Sequence, residues 1–324
     1  MRTQKEKPIN RMRARAKRWI GSVLALALGT SLLAQQDPQF TQYMFNLLAL
    51  NPAYAGSAER VSLKGLSRHQ WIGFEGAPTT QTLTMHAPVF RESIGIGGTL
   101  LRDTHGPITQ YTFMADIAYR MFLGNSKLAF GIKGGLNLLQ GRYADLNPID
   151  PNDQMFQQNV NTKLDPQFGF GVMWYSDRHF LGLSIPKLLR TEFFGVDSLV
   201  FVTEAAVRGQ RSHYFLTGGY VFDLGLYHKF KPTFLVKAVQ GAPVSFDLTA
   251  NVLFYEKFWL GAMYRHGDAV GALAQYHITN DLTIGYSYDY PLTPLRNYSG
   301  GSHEIMLGLE FGSKVKGIRS PRYF

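Results

Sequence analysis

Apolar and polar residues alternate one by one along many stretches of this chain. Residues 281–290 read DLTIGYSYDY, in which every second residue is apolar or aromatic and the residues between are mostly small or polar. Residues 110–120, 246–254 and 304–311 repeat the pattern. Because successive side chains of a strand point to opposite faces, a period of two predicts strands with one apolar and one polar face.

Fourteen such strands can be placed between residues 58 and 312, and tight connections tend to alternate with longer ones. Strands of about ten residues with this rhythm are typical of outer-membrane barrels, and closure leaves no backbone group unpaired in lipid. Aromatic residues flank the apolar faces at 254–259 and 286–290, which favours a membrane barrel over a soluble β-sandwich. The predicted fold class is therefore all-β: a transmembrane, antiparallel outer-membrane β-barrel of about 14 strands, with a short N-terminal helix.

The ends of the chain carry their own signals. Residues 1–18 hold eight Lys and Arg against one acid, and residues 19–34 are apolar with small residues near the end. This pattern predicts a signal peptide cleaved after Ala34, and the leader accounts for most of the net charge of +10. The charge therefore gives no support for nucleic-acid binding. The predicted organisation is a signal peptide at 1–34, a helical or plug segment at 35–57, the barrel at 58–312 and a basic periplasmic tail at 313–324.

Residues 37–50 predict a short amphipathic helix. Asp37 and Pro38 are a helix-start signal, and the pair Asn51-Pro52 ends the pattern. A lumen of fourteen strands is too wide for side chains alone to fill. The segment is therefore a candidate plug in or across the periplasmic mouth, with simple packing on the barrel as the alternative. Its apolar face consists of Phe40, Tyr43, Met44 and Leu47.

Three stretches carry a family resemblance. DPQFTQYMFN is followed by LNPAYAGS at residues 37–57, RHQWIGFEGAPTT occupies residues 68–80, and GSHEIMLG occupies residues 301–308. In this order they resemble the PorP/SprF family, outer-membrane proteins of type IX secretion and gliding motility. The resemblance runs from about residue 36 to 312. It implies a role in the export, surface display or anchoring of a secreted partner, such as an adhesin with a C-terminal secretion domain, and contact with periplasmic secretion components.

The resemblance and the long connection at 141–166 supply the candidate site residues. His303 and Glu304 are expected to form a structural pair near the external rim. A barrel-only role for the motifs remains an alternative to a partner surface. The candidates for the plug or for partner binding are Asp37, Pro38, Phe40, Tyr43, Met44, Asn51, Pro52, Tyr54, Arg68, Gln70, Trp71, Gly76, Pro78, His303 and Glu304, and those of the external loop are Tyr143, Met155 and Phe156.

Signals for catalysis are missing from the sequence. It has no Gly-rich phosphate loop, nucleophile elbow or His-rich metal spacing, so no enzyme activity, cofactor or metal site is predicted. The acidic residues at 150–153 lack the full ligand spacing for Ca²⁺. The expected partners are a secreted surface protein, periplasmic secretion components and outer-membrane lipid, without nucleic acid. The alternative function is a plugged porin-like or hydrophobic-solute transporter, which steady conductance would distinguish from a secretion component.

Overall fold

The computed structural model describes residues 38–312 except 59, 90–92, 146–158, 162–164, 189–211 and 240–241. The proposed signal peptide and basic tail lie outside these residues. The described strands are β1 (Val61–His69), β2 (Thr79–Val89), β3 (Ile94–His105), β4 (Ile108–Leu123), β5 (Ser126–Gly141), β6 (Val160–Asn161), β7 (Asp165–Tyr175), β8 (His179–Ile185), β9 (His213–Tyr220), β10 (Phe222–Leu224), β11 (His228–Val239), β12 (Ser245–Phe254), β13 (Phe258–Arg265), β14 (Ala269–His277), β15 (Leu282–Pro291) and β16 (Ser302–Phe311).

Fourteen of these strands close into an antiparallel barrel. Each pairs with its neighbours in chain order, β16 pairs with β1, and β9 pairs with β11. The short strands β6 and β10 are additions to β5 and β11. The predicted 14-strand antiparallel barrel is therefore confirmed. Within the described residues, no helix has the length and apolar character needed to cross a bilayer.

The strands present polar side chains to the lumen and apolar side chains to the outside. On β4, Asp116 is almost fully buried while the next residue, Ile117, is 53% exposed. On β5, Lys133 and Ile132 repeat the contrast. An apolar outer surface is stable only against lipid, so this face is the membrane face.

The barrel has a turn end and a loop end. The chain enters β1 and leaves β16 at the turn end, where it also makes the connections at 124–125, 176–178 and 255–257. Short turns and chain ends lie on the periplasmic side of such barrels, so the loop end faces outward. Contrary to the predicted alternation of tight and longer connections, the loop-end connection between β3 and β4 is a two-residue turn. Gly106 allows it by adopting φ +53°.

The predicted amphipathic α-helix is wrong. The structure instead has three short 3-10 turns, Tyr43–Phe45, Leu47–Ala49 and Pro52–Tyr54, interrupted at Asn46 (φ −136°, ψ 57°). A helix would satisfy its carbonyl groups internally, whereas here side chains of the barrel wall bind several of them. These tertiary hydrogen bonds override the local helical spacing.

Candidate functional site: the filled lumen and its external rim

Residues 38–57, here called the plug segment, run inside the barrel from the loop end to the turn end. Thr41 contacts Glu304 at the start of β16, whereas Gly56 contacts His86 near the end of β2. Met44 and Leu48, midway between, have no exposed surface. The segment therefore spans the lumen from the external rim to the periplasmic end and is not confined to the periplasmic mouth.

A buried ionic cluster, here called the rim cluster, holds the outer end of the plug segment. Arg68 Nη2 lies 2.8 Å from Asp289 Oδ2, and Arg68 Nη1 lies 3.2 Å from Glu304 Oε2. The Glu304 carboxylate accepts hydrogen bonds from the backbone amides of Thr41 (3.0 Å) and Gln42 (2.8 Å). The Thr41 hydroxyl accepts from Arg68 and donates to Asp289. Buried charges require such pairing, so the plug completes the cluster.

Further inside, donors on the wall bind main-chain carbonyls of the plug segment. These bonds do not depend on the side chains of the plug, so they fix its path rather than its composition. The donors come from four different strands. The bonds run from Lys64 to Phe45, from Lys133 to Leu48 (3.1 Å), from Ser184 to Leu50 (2.8 Å) and from Arg120 to Ala55 (2.7 Å).

Aromatic side chains of the plug segment also bind the wall. The Tyr43 hydroxyl forms a hydrogen bond of 3.0 Å with Thr233 Oγ1 on β11. Lys231 Nζ lies 4.1 Å from the centre of the Phe45 ring and 4.5 Å from that of Trp259. A cation over an aromatic face is stabilised by the ring quadrupole, so Phe45 and Trp259 accommodate the buried ammonium.

Glycines in the wall let the plug backbone approach closely. A Cβ atom on Gly131 would lie 2.2 Å from the backbone nitrogen of Ala53. A Cβ on Gly95 would lie 2.2 Å from the Ala55 carbonyl oxygen. Neither separation is possible for real atoms, so the wall is shaped to the main chain of the plug.

The second motif forms a compact loop over the rim. Residues 70–78 connect β1 to β2, and Ile72 exchanges backbone hydrogen bonds with Gly300 and Gly301 at 2.7 and 2.8 Å. Gly76 accepts from Gly106 at 2.9 Å, and Trp71 adopts φ 47°. The loop is thus tied to the connection before β16 and to the β3–β4 turn.

The predicted pair of His303 and Glu304 does not form. These neighbours on β16 point to opposite faces, with Glu304 in the rim cluster and the His303 ring 2.7 Å from the Tyr286 hydroxyl outside. Asp289, which does share the cluster, lies on the polar face of residues 281–290 but was not predicted as a site residue. Only its position opposite the aromatic face could have indicated it.

The remaining predicted residues are distributed as follows. Pro38 and Phe40 lie at the outer end of the plug segment, and Asn51 donates to the Val172 carbonyl at 3.1 Å. Tyr54 packs edge-on against His86 at the turn end. Gln70 and Pro78 close the base of the 70–78 loop, and Pro52 opens the third 3-10 turn. Tyr143 follows β5 at the loop end, where partial burial raises the pKa of its hydroxyl.

Three of the candidates and the acidic stretch belong to the undescribed parts of the chain. Asp37, Met155, Phe156 and the acidic stretch at 150–153 lie outside the described residues. Among the residues that are described, no group of three or more His, Asp or Glu could hold a metal ion.

The closed barrel with its apolar outer face defines the class of the protein, an outer-membrane β-barrel. The chain belongs to the type IX secretion system membrane protein PorP/SprF family, whose model matches residues 32–309. No curated protein matches the chain.

Solved structures with a similar fold are outer-membrane proteins of low sequence identity. The Acinetobacter baumannii outer membrane protein Omp33 is 8% identical, with a TM-score of 0.45, covering 78% of this chain and 98% of its own. A Pseudomonas aeruginosa FadL homologue is 12% identical, with a TM-score of 0.41, covering 84% and 94%. The KdgM porin is 7% identical, with a TM-score of 0.35, covering 78% and 99%.

Proposed function

We propose that this protein is a non-enzymatic component of type IX secretion that supports the export, surface display or anchoring of a secreted partner protein. The family and the outer membrane give the setting. The proposal is carried by one observation: the three family motifs, far apart in sequence, meet at the external rim. Thr41 of the first, Arg68 of the second and Glu304 of the third share one buried cluster.

The external face above this cluster is the proposed partner surface. The 70–78 loop is fixed by backbone bonds, yet Ile72 and Phe74 remain about half exposed, and Tyr298 nearby is 72% exposed. Rigid apolar and aromatic side chains lose little entropy on binding and are enriched in protein interfaces. We propose that an adhesin-like secreted protein binds this surface and that the external loop with Tyr143, Met155 and Phe156 contributes to it.

The turn end offers a second surface, which we assign to periplasmic components of the machinery. Leu226 is 91% exposed, and Tyr227 and Tyr255 pack together beside it with ring centres 5.9 Å apart. Exposed apolar groups at chain turns facing the periplasm are unfavourable in water, so a protein or lipid contact there would stabilise them.

The rival function, a porin-like or hydrophobic-solute transporter, fits less well. A general porin needs a lumen filled with water, whereas here the plug segment is buried and bonded to the wall along its length. We therefore favour the secretion role.

The deciding experiment replaces exposed residues on the external face. In cells carrying Phe74→Ser with Tyr298→Ser, we expect one surface protein to be lost from intact cells, as measured by immunoblots after protease shaving. The matched control is Val244→Ser, an exposed residue of another external turn, which should leave display unchanged. Heat-modifiable gel mobility verifies the barrel in each variant. Normal display of every secreted protein in the double variant, with solute uptake reduced, would instead establish the transporter.

A further inference from the structure

The plug segment is divided between two sides of the lumen. Its first half, residues 41–45, contacts β1, β11, β13 and β16, through Glu304, Thr233, Trp259 and Lys64. Its second half, residues 47–57, contacts β4, β5, β7 and β8, through Arg120, Lys133, Val172 and Ser184. The two halves therefore bind different strands of the wall.

The two halves are held differently. The second half accepts several hydrogen bonds from side chains of the wall, and its backbone lies directly against glycines of the wall. The outermost anchor of the first half is the rim cluster, which lies directly beneath the outward-facing mouth of the barrel. Breaking the contact of Glu304 with Thr41 and Gln42 removes that anchor without touching the second half.

The interior of the barrel carries more basic than acidic side chains. Among the described residues, eight Lys and Arg are buried there against four Asp and Glu. Lys64 and Lys231 both bind Phe45, one at its carbonyl and one at its ring. When Phe45 moves away, both ammonium groups face the space that it leaves. Charged side chains lining a narrow passage select ions of the opposite sign.

We propose that the lumen is a latched passage for small inorganic anions, closed by residues 41–45 and latched by the contact of Thr41 and Gln42 with Glu304. This activity goes beyond the secretion role and does not depend on it, since display of a partner uses the external surface. In the closed state the protein conducts little. Release of the latch leaves a path between the second half of the plug and the wall strands that carry Lys64 and Lys231.

Conductance of the full-length protein tests the latch. In planar bilayers under a potassium chloride gradient, Glu304→Gln should open the channel far more often than the wild type. Thr41→Val, which alters only the plug side of the cluster, is the milder second variant and should act in the same direction. The control is Asp116→Asn, which alters a buried carboxylate paired with Lys133 (3.4 Å) on the wall that binds the second half, and it should stay closed.

Cysteine labelling tests which half moves, because the chain contains no cysteine. In the Glu304→Gln background, the thiol of Met44→Cys should react with a thiol reagent about tenfold faster, or more, than it does with Glu304 in place. A charge-assisted hydrogen bond contributes at least ~1.4 kcal/mol, and its loss shifts the equilibrium between the latched and released states tenfold. Leu48→Cys, equally buried in the second half, should keep its slow rate. Equal acceleration at both positions would mean general loosening and would overturn the latch.

The reversal potential tests the ion class. In an open latch variant the reversal potential should move toward the chloride equilibrium potential. Adding Lys231→Gln should reduce this preference for chloride, whereas Lys231→Arg should retain it. A folded Glu304→Gln variant that stays as closed as the wild type would overturn the latch. An open variant that prefers cations, or has no preference, would overturn the anion passage.

Discussion

Gly131 offers a direct measure of how tightly the plug segment is seated. This residue on β5 faces the lumen, and an added Cβ would lie 2.2 Å from the Ala53 backbone nitrogen and 2.3 Å from the Pro52 carbonyl carbon. Both neighbours are main-chain atoms, which cannot rotate away as a side chain would. Gly131→Ala must therefore shift the plug or the wall.

The expected cost is that of overpacking, about 1–3 kcal/mol. Gly134→Ala on the same strand is the matched control, because its added Cβ would meet only the Phe168 ring at 3.7 Å, an ordinary contact. Neither glycine has the left-handed backbone that would make alanine strained. The control should change the free energy of unfolding little, or raise it by about 0.4–1 kcal/mol by restricting the unfolded chain.

Urea unfolding of the two variants in detergent micelles, followed by tryptophan fluorescence, measures the difference. Trp259 packs against Phe45 of the plug with ring centres 5.9 Å apart, so its emission also reports the seating of the plug. If Gly131→Ala and Gly134→Ala unfold at the same urea concentration with the same emission, then the plug is not bound against β5 and the reasoning fails.

Four further predictions follow from the architecture. The protein should sediment with the outer membrane, resist carbonate extraction and migrate differently in gels after heating; release by a salt wash would contradict the barrel. Deleting residues 37–50 should raise ion conductance in a barrel that still inserts, and unchanged conductance would refute the plug role. Replacing residues 141–166 by a tight turn should preserve folding but abolish display of one surface protein, whereas full display would exclude that loop. At the turn end, the hydrogen bond from Lys229 (3.0 Å) and then the charge of Arg178 (2.7 Å) lower the pKa of Asp223 in the folded protein. These contacts should be fully formed above the ordinary carboxyl pKa and should be lost as the pH falls through the lowered pKa of the folded state. An NMR titration of the Asp223 carboxyl group would measure this.

The strands of the barrel could be predicted because the signal is local. Each one separates lipid from the lumen, so its sequence must alternate wherever it lies in the chain. All fourteen barrel strands coincide with the segments found by that alternation, including β7 and β8, between which only three residues intervene. The same rule accounts for the inward positions of Asp116 and Lys133.

The plug segment could not be predicted in the same way, because its environment is made by distant residues. The spacing of Phe40, Tyr43 and Met44 suggests one apolar face, yet Thr41 and Gln42 between them are equally buried. The lumen surrounds the segment on every side, so no helical face is distinguished. Its direction depends on bonds between residues 248 to 263 positions apart, and no local pattern encodes these.

The position of the rim cluster links the plug to closure of the barrel. Arg68 lies on the first strand, while Glu304 and Asp289 lie on the last two, and Arg68 stands opposite Glu304 in the β1–β16 register. The cluster thus forms at the seam where the two ends of the sheet meet. Because Arg68 pairs with both carboxylates, and Glu304 in turn accepts two amides of the plug, the seam and the plug stabilise each other. A seam on which the seating of the plug depends also explains why residues from all three family motifs meet here: the first motif fills the lumen, and the other two supply the strands that close around it.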